Sequence, residues 1–224
     1  MLRTLIFDFD GLIIDTESAL IDAYAAVHRR HSIPFDRDVF LRSVGHADYS
    51  FDPWHAFEKR ADRAELELER RMVNKQLDRL LPLLPGVLSL IDAARESGLP
   101  LGVASNSRHP HVEGHLGRLG LRDRFAIISC RDDVPSPKPE PDVYRFALNQ
   151  LGLPPHSAAA FEDSHTGALA AKRAGLYVVT VPNGSTAHHD FSPADWRVRS
   201  LTEVGLSALQ DRVKGRGQRA EPGP

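Results

Sequence analysis

Leu5-Ile6-Phe7-Asp8-Phe9-Asp10-Gly11-Leu12-Ile13-Ile14-Asp15-Thr16 sets two carboxylates two residues apart inside an apolar run. Such a run reads as a buried β-strand. Burying an ionised carboxylate costs several kcal/mol unless a cation or hydrogen bonds compensate. The less costly arrangement puts both at the strand's C-terminal end, where a parallel α/β sheet opens its ligand crevice. Residues i and i+2 project from the same side of a strand, so Asp8 and Asp10 can face one site. Gly11 then allows a sharp exit and close approach of the backbone to a ligand. On this stretch alone, an edge strand with solvated aspartates remains the alternative.

Working outward, residues 3–8 form the predicted first strand. Asp15 or Thr16 caps a helix whose inward face carries Leu20, Ile21, Tyr24, Ala25, Val27 and His28, and Pro34 ends it. A short helix is expected over 38–43, a loop at Val44-Gly45-His46, and one long helical region from about residue 53 to 80. The middle of that region is dense in both charge signs, which reads as a solvated face supported by i,i+4 pairs such as Glu67–Arg71. Pro82 and Pro85-Gly86 mark a boundary.

Strand–helix alternation then resumes. Helices are predicted at 87–96, 111–119, 142–151, 166–174 and 201–209, and strands at 101–104, 126–129, 158–161, 177–181 and 196–198. This pattern predicts an α/β fold, a doubly wound parallel sheet with a helical insertion after the first strand. Segments 1–16 and 83–213 make the core, 17–82 the insertion, and the Gly-, Pro- and charge-rich 214–224 a disordered tail.

The composition sets limits. With 224 residues, 42% hydrophobic and 26% charged, the chain fits one core domain plus a modest insertion. A formal net charge of −2 implies no general attraction to nucleic acid or anionic membrane. A single cysteine, Cys130, excludes an internal disulfide, and its place after an apolar run predicts a buried thiol rather than a nucleophile. No apolar stretch approaches the roughly 20 residues needed to span a bilayer. Asp8 and Asp10 interrupt any signal-peptide layout, so a cytoplasmic location is expected.

In a parallel sheet the strand ends meet along one edge. The first supplies Asp8 and Asp10, the second Ser105-Asn106-Ser107, the loop after the third Pro137-Lys138-Pro139, and the fourth Glu162-Asp163-Ser164. Each has an ordinary reading by itself: a turn or N-cap, a surface lysine, a helix cap. Together, converging acids, hydroxyls and one cation suit magnesium-assisted phosphoryl transfer.

These same residues carry a resemblance. Asp8-Phe9-Asp10-Gly11 with Asp15-Thr16, Ser105-Asn106-Ser107, Lys138-Pro139 followed by Pro141-Asp142-Val143-Tyr144, and Glu162-Asp163-Ser164 with Gly167 resemble the haloacid dehalogenase superfamily of phosphatases. The likeness spans the whole core and implies a Rossmann-like core. The insertion resembles in position and size the small helical cap of the branch containing β-phosphoglucomutase and phosphoglycolate phosphatase.

The resemblance implies that Asp8 is the nucleophile and forms an aspartyl-phosphate, and that Asp10 is the general acid and base. It implies that Ser105, backed by Asn106, binds the phosphoryl group and that Lys138 bridges Asp8 and phosphate. Mg²⁺ would be held by Asp8, the Asp10 carbonyl and Asp163, with Glu162 direct or through water. Gly11–Thr16 resembles a flap that moves with cap closure.

The expected partner is a small phosphorylated metabolite, acting on a monomer or weak dimer. Gly45-His46-Ala47-Asp48-Tyr49 lacks the arginine that the mutase branch carries there, which favours a phosphohydrolase over a phosphosugar mutase. A dehalogenase or a phospho-accepting receiver domain would leave the Glu162-Asp163 pair or the helical insertion without a purpose. His46, Asp48, Trp54 and His55 are candidate specificity residues. His165 is expected to cap or pack, and His188-His189 to belong to a polar loop.

Overall fold

A computed structural model describes residues 1–43, 52–58 and 60–219. Its centre is a six-stranded, wholly parallel sheet: β1 (Thr4–Phe7), β2 (Leu101–Ala104), β3 (Ile127–Ser129), β4 (Ala158–Glu162), β5 (Tyr177–Thr180) and β6 (Trp196–Arg197). The spatial order is β3-β2-β1-β4-β5-β6. The chain therefore builds one half outward from β1, returns, and builds the other half outward from β4. The β1–β4 boundary is the topological switch point, where two crossovers leave on opposite faces and open a crevice.

Each strand of the inner sheet is buried on both faces, as its near-continuous apolar sequence requires. Leu5 and Phe7 of β1 pack on one face with Ile91, Val103 and Phe161, whereas Ile6 joins Ala104, Ala160 and Val178 on the other. Phe7 stacks on Phe161 at 5.0 Å across the switch point, and each such fully buried aromatic contributes about 1.5–3 kcal/mol. Helices α4 (Val87–Glu96), α5 (His109–Arg118), α6 (Asp142–Leu151), α7 (His165–Arg173) and α8 (Leu206–Arg219) complete the core layers.

Between β1 and α4 lie α1 (Thr16–Arg30), α2 (Arg37–Ser43) and α3 (Arg63–Asp78). Asp15 caps α1, its carboxylate accepting from the Ser18 amide at 2.9 Å. Val27, Ile33, Trp54, Phe57 and Leu66 form a separate small core, and buried His28 is held between the carbonyls of Pro34 and Pro53. Trp54 is thus a packing residue of this segment, while His55 is exposed and pairs with Glu58. Glu67 pairs with Arg71 at 3.2 Å and with Arg70 at 2.6 Å.

Three expectations need correction. The region 53–80 is not one helix: a 3-10 turn at His55–Phe57 is followed by a break, and α3 starts anew because the Asp62 carboxylate caps the amides of Ala64 and Glu65. The predicted helix at 201–209 is a 3-10 turn at Leu201–Glu203 followed by α8. That helix runs through Lys214 to Arg219, where a disordered tail was expected. Buried Leu209 and Val213 anchor it at i,i+4, and Arg216 donates to the Leu176 carbonyl at 2.5 Å. Residues 220–224 lie outside the described residues. Cys130 is buried and its thiol is pushed up to about 12 by burial and by the charges of Asp133 and Asp132. No helix among the described residues is long and apolar enough to cross a membrane.

Candidate active site

Backbone pairing carries the sheet one residue beyond its strands and fixes where the polar side chains emerge. The Asp8 amide donates to the Phe161 carbonyl at 2.9 Å, the Ser105 amide to Ser129 at 2.9 Å, and the Val181 amide to Glu162 at 2.7 Å. Asp8, Ser105 and Glu162 therefore sit side by side at the C-terminal rim.

Lys138 reaches this rim from a loop stiffened by Pro137, Pro139 and Pro141. Asn106 secures that loop: its Oδ1 accepts from the Lys138 amide at 2.8 Å and its Nδ2 donates to the Lys138 carbonyl at 3.4 Å. The buried ammonium donates to Asp8 Oδ1 at 2.5 Å and to Glu162 Oε1 at 2.6 Å, and lies 5.2 Å from the Tyr144 ring centre. Glu162 Oε1 also accepts from the Tyr144 hydroxyl at 2.5 Å. Asp163 Oδ2 accepts from Asn183 Nδ2 at 2.8 Å, and the same amide nitrogen donates to the Gly11 carbonyl at 3.1 Å.

Asp10 occupies a different environment. Its Oδ1 accepts from Thr16 at 2.7 Å and lies 2.8 Å from His111 Nε2; its Oδ2 accepts from Ser107 at 2.6 Å and from Ser105 at 3.4 Å.

The electrostatics separate the two aspartates. Burial pushes the Asp8 carboxyl up to about 8, with Glu162 and Asp10 adding to the rise and Lys138 opposing it. Asp163 is raised well above the usual carboxylate range by burial and by the charges of Asp8 and Glu162. Burial also acts upward on Asp10, but donors and charge from His111, with Ser107 and Thr16, outweigh it and hold this group low. His111 is raised by its bond to Asp10, against the effect of burial. Lys138 stays cationic: burial disfavours its charge, yet the two carboxylates beside it more than compensate.

Asp8, Glu162 and Asp163 bring oxygen atoms within 4.8 Å of one another, all buried. Three carboxylates share one ammonium, so the site has an excess of hard, anionic oxygen donors. That donor set fits Mg²⁺, which takes oxygen ligands and keeps several waters. Glu162 Oε1 is already engaged twice by protein donors, leaving Asp8 and Asp163 the freer carboxylates. A second convergence, His109 with Cys130 and Asp132, offers a less suitable set: His109 Nε2 is 2.8 Å from Asp133 and the thiol is held protonated.

Two glycines make the cluster possible. Gly11 has φ +80°, and a Cβ there would lie 2.3 Å from Asp163 Oδ2. A Cβ on Gly167 would lie 1.9 Å from Glu162 Oε2. Gly167→Ala is therefore expected to displace Glu162 from Lys138 and destabilise the fold by about 1–3 kcal/mol, the usual cost of overpacking. Equilibrium urea unfolding measures this, and an unchanged midpoint would contradict the packing described.

The rim thus gathers Asp8, Asp10, Gly11, Ser105, Lys138, Glu162 and Asp163. Asn106 is drawn in as a clamp on the lysine loop. Ser105 accepts from the Ser107 amide at 2.9 Å and points its hydroxyl toward Asp10. His46 and Asp48 lie outside the described residues. His165 begins α7 and its Nδ1 is 2.5 Å from the Asp190 carbonyl, while Ser164 supplies the cap. Sequence reasoning missed His111 and Asn183 as side chains of the site, and it quoted Ser107 and Tyr144 within their motifs without giving either a role. Asn183 follows the end of β5, and His111 lies in the first turn of α5, the helix after the Ser105–Ser107 turn.

The model for haloacid dehalogenase-like hydrolases matches residues 2–175. YhcW of Bacillus subtilis, provisionally named a phosphatase, is 38% identical over 95% of this chain and 98% of its own. Hexitol phosphatase B of Escherichia coli is 33% identical over 91% and 95%. The crystal structure of CbbY from Rhodobacter sphaeroides in complex with phosphate superposes with a TM-score of 0.72 at 30% identity, covering 94% of this chain and all of that one. A mutant of the same CbbY was crystallised with xylulose-(1,5)bisphosphate.

Proposed function

The chain belongs to the haloacid dehalogenase-like hydrolases and is a phosphatase of that family, and on that premise we propose that it hydrolyses a small phosphate monoester through an aspartyl-phosphate on Asp8, with Mg²⁺ as cofactor. The supporting observation is the Lys138 ammonium shared by Asp8 and Glu162 beside Asp163 at the switch point. Relatives named for hexitol phosphate hydrolysis, and one crystallised with a sugar bisphosphate, support a phosphorylated carbohydrate as substrate.

Mg²⁺, held by Asp8, Asp163 and the Asp10 carbonyl, with Glu162 direct or through water, would offset charge on the phosphate and the acids. Lys138 opposes the upward push of burial on Asp8 and aims its carboxylate, bound Mg²⁺ would add to that effect, and the remaining donor capacity of the ammonium is available to a phosphate oxygen. An Asp8 carboxylate oxygen attacks phosphorus, forming the acyl phosphate as the ester P–O bond breaks. The departing alkoxide takes a proton from Asp10.

With Asp10 held low and His111 raised by their mutual bond, the proton of the pair is favoured on His111, whose Nε2 is 2.8 Å away. Asp10 therefore acquires it before acting as acid. Asp10 then takes a proton from water, whose oxygen attacks phosphorus and releases phosphate with the Asp8 carboxylate restored. Ser105 and Ser107, both donors toward Asp10, hold its carboxyl plane during this exchange. We assign residues 17–82 as a cap over this rim.

The test is phosphate release from p-nitrophenyl phosphate. Activity is expected with Mg²⁺, a fall to background after EDTA, and recovery when Mg²⁺ is returned. Undiminished turnover by metal-stripped enzyme would overturn the proposed cofactor role.

A further inference from the structure

His111 has two sides. Its Nε2 meets Asp10, and its ring lines a cavity of about 530 Å³ between α3 and α5. Because Asp10 is the acid that meets the leaving group, this cavity adjoins the centre on the alcohol side. Its size falls in the range that holds small-molecule ligands.

The charges on its walls are unevenly distributed. Two acids of α3 are paired: Glu67 with Arg70 and Arg71, which also line the cavity and are thereby offset, and Glu69 with Arg30 and His31. Lys75, Arg79 and Arg118 line the cavity and form no ion pair with any described residue. Arg118 donates only to the Leu81 carbonyl, at 2.9 Å, and toward His115. Among the described residues Asp78 is the one acid on these walls; its Oδ2 accepts from Asn74 at 2.7 Å, while its buried Oδ1 has no hydrogen-bond partner and offsets part of the positive charge. Asp78 and the C-terminal ends of α3 and α5 take up part of the positive charge. The remainder is a cationic hollow on a chain whose net charge is −2.

We infer that this hollow binds a second anionic group on the alcohol portion of the substrate, so that the preferred substrate is a phosphate ester carrying a distal phosphate or carboxylate rather than a neutral polyol phosphate. This inference rests on the phosphatase reading of the same site. Lys75, Arg79 and Arg118 are its specificity-determining residues: they set KM through the non-reacting end while Asp8, Asp10 and Lys138 act on the reacting end.

The experiment compares three substrates of one open six-carbon chain: glucitol 6-phosphate, 6-phosphogluconate and glucitol 1,6-bisphosphate. The wild-type enzyme is expected to favour an anionic chain over the neutral one by about tenfold or more in kcat/KM, with the difference mainly in KM. The more favoured of the two anionic chains identifies the distal group as carboxylate or phosphate. Lys75→Gln combined with Arg79→Gln should cut that preference at least about fivefold, whereas Lys75→Arg with Arg79→Lys keeps the charge and should retain it. Raising salt to about 0.5 M should narrow it, since exposed charges are screened within a few ångströms there.

Equal kcat/KM for all three wild-type substrates, or a preference unaltered by the charge-removing pair, would overturn the inference. Wild-type turnover of p-nitrophenyl phosphate, which has no distal anion, reports the phosphoryl centre separately. Activity there with no distal preference sinks only this inference, and inactivity there with Mg²⁺ sinks the reading beneath it.

Discussion

Asp8→Asn should reduce phosphate release by at least about 10³-fold while leaving the folded protein no less stable, because the substitution removes the attacking oxygen but keeps the side-chain volume. The two halves of this expectation have separate origins. An amide is a poor nucleophile and forms no acyl phosphate, so turnover collapses. Stability follows from the charge ledger at the rim. Asp8, Glu162 and Asp163 lie within 4.8 Å with one ammonium among them. Burial and repulsion already push Asp8 up to about 8, so a neutral side chain there relieves a penalty in the metal-free protein. Steady-state assays with Mg²⁺ and urea melts without it report the two quantities independently. A variant that lost both fold and activity, or that turned over normally, would contradict the assignment.

Lys138→Met carries the second large effect, and it strikes stability as well as rate. The ammonium is the one cation within hydrogen-bonding distance of Asp8 and Glu162 among the described residues, and it is 6% exposed. Methionine has similar length but leaves the carboxylates uncompensated in a buried site. Removing one partner of a buried ion pair costs about 3–5 kcal/mol. Here some of that cost is recovered by protonation, since burial pushes Asp8 up to about 8 and holds Asp163 well above the usual carboxylate range. The urea midpoint at constant m-value should therefore drop, and drop further as pH rises and those acids ionise. Turnover should fall by about 10² or more because phosphate loses its nearest cationic partner. A midpoint equal to the parent's at pH 8 would show that Lys138 is not the counter-charge described.

Much of this site was legible before any coordinates, for a physical reason. In a parallel sheet all C-terminal ends share one edge, so a polar residue ending an apolar run is placed by the fold itself. Asp8, Ser105 and Glu162 follow from that rule, and Lys138 from the stiff proline loop beside it. Strand order was not legible, because hydrophobic periodicity says which residues are inside and nothing about which strand lies next to which. The switch point between β1 and β4 thus needed the structure.

The break before α3 was written in the chain as Asp62-Arg63-Ala64-Glu65, an N-cap pattern hidden within a charge-rich stretch. The continuation of α8 was masked by Gly215 and Gly217, although Leu209 and Val213 already gave the i,i+4 anchor. His111 escaped notice because a histidine inside a predicted helix has no distinctive neighbours in sequence. Its partnership with Asp10 spans 101 positions.

The central claim is that the oxygen attacking phosphorus belongs to Asp8. Enzyme quenched during turnover and reduced with borohydride converts an aspartyl phosphate to homoserine, which peptide mass spectrometry locates. Homoserine at position 8, dependent on both substrate and Mg²⁺, is the predicted result. Homoserine at another aspartate, or none anywhere while phosphate is being released, would contradict the account.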